Sequence, residues 1–150
     1  MCGSRHHRPG VDEVVTVQGS ILMEGAAEGP LLVLDDPVSF WGGVDPVSGC
    51  ILDAHHPQVG EVVTGTVLVM SGGRGSSSAS TVLTEMIRTG TAPVAIVLGR
   101  RDAIIVLGAV VAAELYHQVM PIIIVPAADV AGLISGEQAR IAEDGSLIVE

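Results

Sequence analysis

The residues best placed to do chemistry stand together in the run Ser71-Gly72-Gly73-Arg74-Gly75-Ser76-Ser77-Ser78. Its glycines let the chain turn so that consecutive backbone N–H groups converge on one point. Ala79, Val82, Leu83, Met86 and Ile87 follow at helical spacing. The loop therefore delivers its serines to a helix N-terminus, which carries roughly half a positive charge. Arg74 could add a two-pronged guanidinium to an anion held there. The run has neither the Gly-Lys-Ser/Thr of a Walker loop nor the G-x-G-x-x-G spacing of a dinucleotide site. Two readings stay open on pattern alone: serines lining an anion site, or serines that only cap a helix.

Other candidates are weaker. Ser39-Phe40-Trp41-Gly42-Gly43 holds two of the three aromatic residues, and reads either as a binding lip or as a small satellite core beneath a long loop. His55 and His56 are neighbours, so in an extended segment they point opposite ways and only one can face a given site. No second ligand pair with zinc-like spacing accompanies them, which favours a structural or surface role. Cys2 with His6 and His7 falls in an expected tail. The two cysteines, Cys2 and Cys50, cannot hold an iron–sulfur cluster that needs three or four protein ligands. No Ser-His-Asp arrangement surrounds a nucleophile elbow. A catalytic chain of this kind would carry half of a site.

The elements that must position these residues follow from composition. A chain of 150 residues is long enough for one real core, burying about 70% of its unfolded surface. With three aromatics against 48% apolar residues, that core must be built from Val, Ile, Leu and Ala. The net charge of −10, with seven arginines and no lysine, argues against nucleic acid and anionic membranes as partners. The longest apolar stretch, 103–113, is too short for a membrane span of about 20 residues. The first residues lack the apolar region of a secretory signal, so the expectation is a soluble cytoplasmic protein. Its positive mean hydropathy then calls for a very dry core or a large buried contact with a partner.

Residues 1–12 read as a loose tail before a single domain, 13–150. Strands are expected at 14–19, 31–34, 50–53, 61–70 (with Gly65 a bulge or close approach), 94–98 and 122–125. One helix should run over 79–88 and stop at Gly90. A second, capped by Asp102, should reach about His117; it is apolar nearly all round and so should be sandwiched. A small helix near 129–134 and a hairpin turning at Asp144-Gly145 complete an α/β chain with helices crossing between strands.

Several segments in order carry a family resemblance: SFWGGVDPVSG (39–49), DAHHPQVGEVVTGTVLVM (53–70), GGRGSSSAS (72–80), APVAIVLGRRDAIIVLGAVVAAELY (92–116) and PIIIV (121–125). Together they resemble the small swivel component of aconitase X. The resemblance implies a swivelling β/β/α domain that closes over a large catalytic subunit. That subunit would hold the iron–sulfur cluster, with no cofactor or metal in this chain, and the substrate would be a small hydroxy acid. It implies a hydro-lyase, first a cis-3-hydroxy-L-proline dehydratase making Δ1-pyrroline-2-carboxylate, second a mevalonate 5-phosphate dehydratase. A non-catalytic anion-binding module on the same fold is a third reading. Ordinary aconitases place Gly-Ser-Ser-Arg at this loop; here Ser78 stands where the arginine would be, which argues against a citrate-like polycarboxylate. By the same likeness Ser76 is the proton acceptor, Gly75 and Ser77 line the substrate carboxylate, and Arg74 assists. Phe40, Trp41 and His56 are candidate site or interface residues. Serine is a very weak base unless negative charge on its oxygen is stabilised, which a helix N-terminus with converging N–H groups does.

Overall fold

The computed structural model describes residues 14–74 and 77–150. In chain order its elements are β1 (Val15–Gln18), β2 (Ser20–Met23), β3 (Ala27–Val33), β4 (Val67–Met70), α1 (Ser78–Thr89), β5 (Ala95–Leu98), α2 (Ala103–Tyr116), β6 (Ile122–Ile124), α3 (Ala127–Val130), β7 (Gln138–Ile141) and β8 (Ser146–Val149). The expected tail, 1–12, lies outside the described residues.

Strands β3, β4, β5 and β6 run parallel, with α1 and α2 as the crossovers, and the full order is β1-β8-β7-β3-β4-β5-β6-β2. Side-chain alternation divides the core into two layers. Leu68 and Met70 of β4 and Ile96 and Leu98 of β5 pack on the helix side, while Val67, Val69, Ala95 and Val97 pack on the other. Strands covered on both faces read as unbroken apolar runs, as these do. Only Gly19 separates β1 from β2, yet they stand at opposite ends of the order. The mixed sheet therefore curls into a near-barrel that meets itself at Gly19, whose N–H donates to the Gly145 carbonyl at 3.0 Å. The small second core fills its inside.

On the outer layer α1 buries Ala79, Leu83, Met86 and Ile87. Burial of each large side chain contributes about 1.5–3 kcal/mol. Gly90 ends the helix in the left-handed conformation, its N–H returning to the Ile87 carbonyl. The two helices touch through Thr84, whose hydroxyl donates to the Gly108 carbonyl at 2.9 Å.

Several expectations need correction. The strand over 61–70 breaks at Thr64-Gly65, where Gly65 takes φ 75°, so only Val67–Met70 joins the sheet. No strand forms at 50–53; Cys50 and Ile51 make single bridges, to Val62 and Val44. The third helix forms at Ala127–Val130 rather than 129–134. β2 carries no separate signal, because its pairing with β6 is remote in sequence. Most consequentially, α2 is not sandwiched. It buries Ile105, Gly108, Ala109 and Ala112, but Leu107, Val110 and Leu115 face outward, Leu115 with 63% of its surface exposed.

Candidate functional site

Parallel strands end at a common edge, and the segments leaving β3, β4 and β5 gather there, the usual ligand side of such sheets. The glycine-rich loop leaves β4 and enters α1. Beside it, Gly99-Arg100-Arg101-Asp102 leaves β5 and enters α2. A cavity of about 240 Å³ opens between them, lined by Val38 and Phe40 from the segment after β3, Gly73, Arg74, Ala79 and Asp102.

Close approach explains Gly73, while Gly72 faces only the movable end of Arg100. A Cβ on Gly72 would collide with the Arg100 guanidinium, and one on Gly73 would lie 2.5 Å from Asp102 Oδ2. Arg100 donates from a guanidinium nitrogen to the Ser71 carbonyl at 3.3 Å. The Gly73 N–H donates to Asp102 Oδ2 at 2.8 Å, while Asp102 Oδ1 accepts from the N–H groups of Ile104 (3.0 Å) and Ile105 (3.1 Å). One carboxylate thus caps α2 and grips the neighbouring loop.

The start of α1 is built differently. Ser77 occupies the cap position but makes no side-chain capping bond, and no acidic residue stands in the first turn. Ser80 directs its hydroxyl back to the Ser77 carbonyl at 2.8 Å. Of the two readings of these serines, a purely capping role does not describe Ser77. Arg74 is exposed at the cavity. Gly75 and Ser76 lie outside the described residues.

The aromatic pair divides between its two readings. Phe40 is buried in the helix-side core and reaches the cavity, whereas Trp41 is 59% exposed. His56 is 4% exposed; its Nδ1 accepts from the Gln58 N–H at 3.0 Å and its Nε2 lies 2.8 Å from the Asp36 carbonyl, which makes Nε2 the protonated nitrogen. Both ring nitrogens are thus engaged in fixing the segment after β3. His55 is exposed.

Sequence reasoning missed Arg100 as a neighbour of the loop, and saw in Asp102 only a helix cap. The signal was present in Gly99-Arg-Arg-Asp102, a charged run between a strand and a helix. It acquires meaning only when β4 and β5 are known to be adjacent.

Among the described residues no three His, Cys, Asp or Glu side chains gather to hold a metal ion. Cys50, half-buried, directs its thiol to the Ile51 carbonyl. These residues do not fit an iron–sulfur cluster. No helix among them is long and apolar enough to cross a membrane.

Comparison with known proteins gives a consistent picture. The family model for the aconitase X swivel domain matches residues 16–149. Over 101 residues, 67% of the chain, it is 48% identical to a cis-3-hydroxy-L-proline dehydratase of Pseudomonas aeruginosa, but it spans only 17% of that protein. It is 36% identical over 132 residues to a phosphomevalonate dehydratase small subunit of Thermococcus onnurineus, covering 88% of this chain and 95% of that one. Among solved structures, aconitase X from Thermococcus kodakaraensis in its holo form superposes with a TM-score of 0.79 at 31% identity, over 91% of this chain and 98% of that chain.

Proposed function

The chain belongs to the aconitase X swivel-domain family, and from that premise we propose that it is the small subunit of a hydro-lyase that removes water from cis-3-hydroxy-L-proline. The observation that favours this substrate is the 48% identity over 101 residues to the Pseudomonas aeruginosa dehydratase; a second dehydratase of that name and the Thermococcus onnurineus small subunit are each 36% identical. This chain spans about a fifth of the curated cis-3-hydroxy-L-proline dehydratases it matches. The remaining half of the site, with the iron–sulfur cluster, belongs in this reading to a large aconitase X subunit.

Within this chain the substrate carboxylate sits at the start of α1, where N–H groups and the helix dipole favour negative charge. Gly75, Ser77 and Arg74 line it. The Ser76 alkoxide takes the proton from the carbon beside the carboxylate, and the bonding pair forms a C2=C3 double bond as hydroxide leaves C3 into the partner's half. The resulting enamine shifts its N–H proton to C3 to give the Δ1 imine. Closure of the domain dries the cleft and strengthens each of these interactions. Outward-facing Trp41, with Phe40 anchored beneath it at the cavity, suits a contact with the partner. Its emission should change when a large subunit saturates the chain; an unchanged spectrum removes Trp41 from the interface.

Mevalonate 5-phosphate is the second reading, and one observation favours it. Arg100 stands against the loop that carries Arg74, more positive charge than the sequence run alone offers a phosphate. The ratio of kcat/KM for the two substrates, measured on this chain with its large subunit, decides. A ratio favouring cis-3-hydroxy-L-proline by about 100-fold or more, or about 2.7 kcal/mol, upholds the first reading. The reverse ratio selects the second.

A further inference from the structure

We infer that Asp102 is a positioning residue for the glycine-rich loop, a role that rests on reading that loop as the proton-accepting half-site. The carboxylate divides its work between two elements. Oδ1 accepts the Ile104 and Ile105 N–H groups of α2, and Oδ2 accepts the Gly73 N–H at 2.8 Å. The contact is built in from both sides: Gly73 has no room for a side chain, because a Cβ would stand 2.5 Å from Oδ2 and 2.9 Å from Ile105 Cδ1.

The neighbouring contact points the same way. Arg100, two residues earlier, covers Gly72 and donates to the Ser71 carbonyl. The turn between β5 and α2 therefore holds the loop at two successive places, just ahead of Arg74. α2 itself is anchored in the core through Ile105, Ala109 and Ala112. Its position passes through one rigid carboxylate to the loop that carries the reacting groups. A misplacement of about 1 Å at a reacting group can cost about 100-fold in rate, so a short tether from a packed helix matters to chemistry as well as to folding.

Two substitutions separate the tether from the helix cap. Asp102→Asn keeps an oxygen for α2, since Asn caps as well as Asp, but turns an NH2 toward the Gly73 N–H. Asp102→Ser also caps, and its hydroxyl is too short to reach Gly73. Both should speed hydrogen exchange of the Gly73 amide in the full chain by about tenfold or more while leaving the α1 and α2 core amides protected. In the complex with the large subunit, assayed on cis-3-hydroxy-L-proline, kcat should fall about 10–100-fold with KM changed less than about threefold. Unchanged Gly73 exchange overturns the inference, and so does a freed Gly73 amide with wild-type kcat. If both variants unfold the chain, Asp102 is a folding residue and the inference falls. A wild-type complex inactive on both substrates would instead refute the dehydratase reading, with the Gly73 amide still deciding whether the tether exists.

Discussion

Two helices start side by side at the same sheet edge and treat their N-termini in opposite ways. At α2 the positive end of the dipole is answered internally, by the Asp102 carboxylate on the N–H groups of Ile104 and Ile105. At α1 no acidic residue enters the first turn and Ser77 makes no capping bond. Capping at α2 contributes about 1 kcal/mol to stability. Among the described residues α1 has no comparable carboxylate cap. Under the proposed function, the α2 start serves the fold and the α1 start keeps its field for the substrate carboxylate. Arg74, ahead of α1, and Asp102, at the start of α2, line one cavity.

The largest expected effect comes from removing the proposed base, Ser76. Ser76→Ala in the complex should lower kcat by about 10²–10⁴-fold, with assembly retained because one hydroxyl contributes little to a large interface. Near-full activity in this variant, with loss in Ser77→Ala or Ser80→Ala instead, would shift the base along the loop and redraw the comparison.

A smaller effect makes α1 resemble α2. Ser77→Asp supplies the missing carboxylate, so the chain should gain about 0.3–1 kcal/mol of stability. The same charge should repel the substrate carboxylate and raise KM about tenfold, equivalent to about 1.4 kcal/mol. Thermal melting and steady-state kinetics on the same preparation read both changes. Stability and affinity rising together would show that the α1 field is not used for the substrate.

The smallest effect is acid sensitivity, and it belongs to neither helix start. The Val47 N–H, then the Ser48 hydroxyl, hold the Asp45 carboxyl below its ordinary 3.8. The Ser146 hydroxyl and N–H do the same for Asp144. Both folded pKa values are depressed, so the stability these turns contribute is present above 3.8 and is lost as pH falls through the folded values. Wild type and Ser76→Ala should therefore lose stability in parallel below about pH 4, as read by denaturation midpoints. A variant-specific acid limb would implicate the loop in folding.

Local signals made much of this legible. Asp102 ahead of an apolar run marked the start of α2, Gly90 marked the end of α1, and Asp144-Gly145 marked the turn between β7 and β8. The glycine–serine loop stood out because its chemistry and its helix lie within one segment. What the residues hid is non-local. Gly19 looks like any turn glycine until β1 and β2 are seen pairing at opposite ends of the sheet. Arg100 reaches Ser71 only because β5 lies beside β4. The apolar circumference of α2 implied burial on all sides, yet the fold leaves Leu107, Val110 and Leu115 exposed, since a periodicity cannot tell a covered face from an uncovered one. His56 kept a functional reading until its two ring nitrogens were found bonded to Gln58 and Asp36.

The most direct measurement is dehydration of cis-3-hydroxy-L-proline by this chain alone, by a large aconitase X subunit alone, and by the two together. Each part alone should be inactive, and the mixture should form Δ1-pyrroline-2-carboxylate in proportion to the complex present. Equal turnover by the large subunit with and without this chain would contradict the assignment of the proton-accepting half-site to the α1 start.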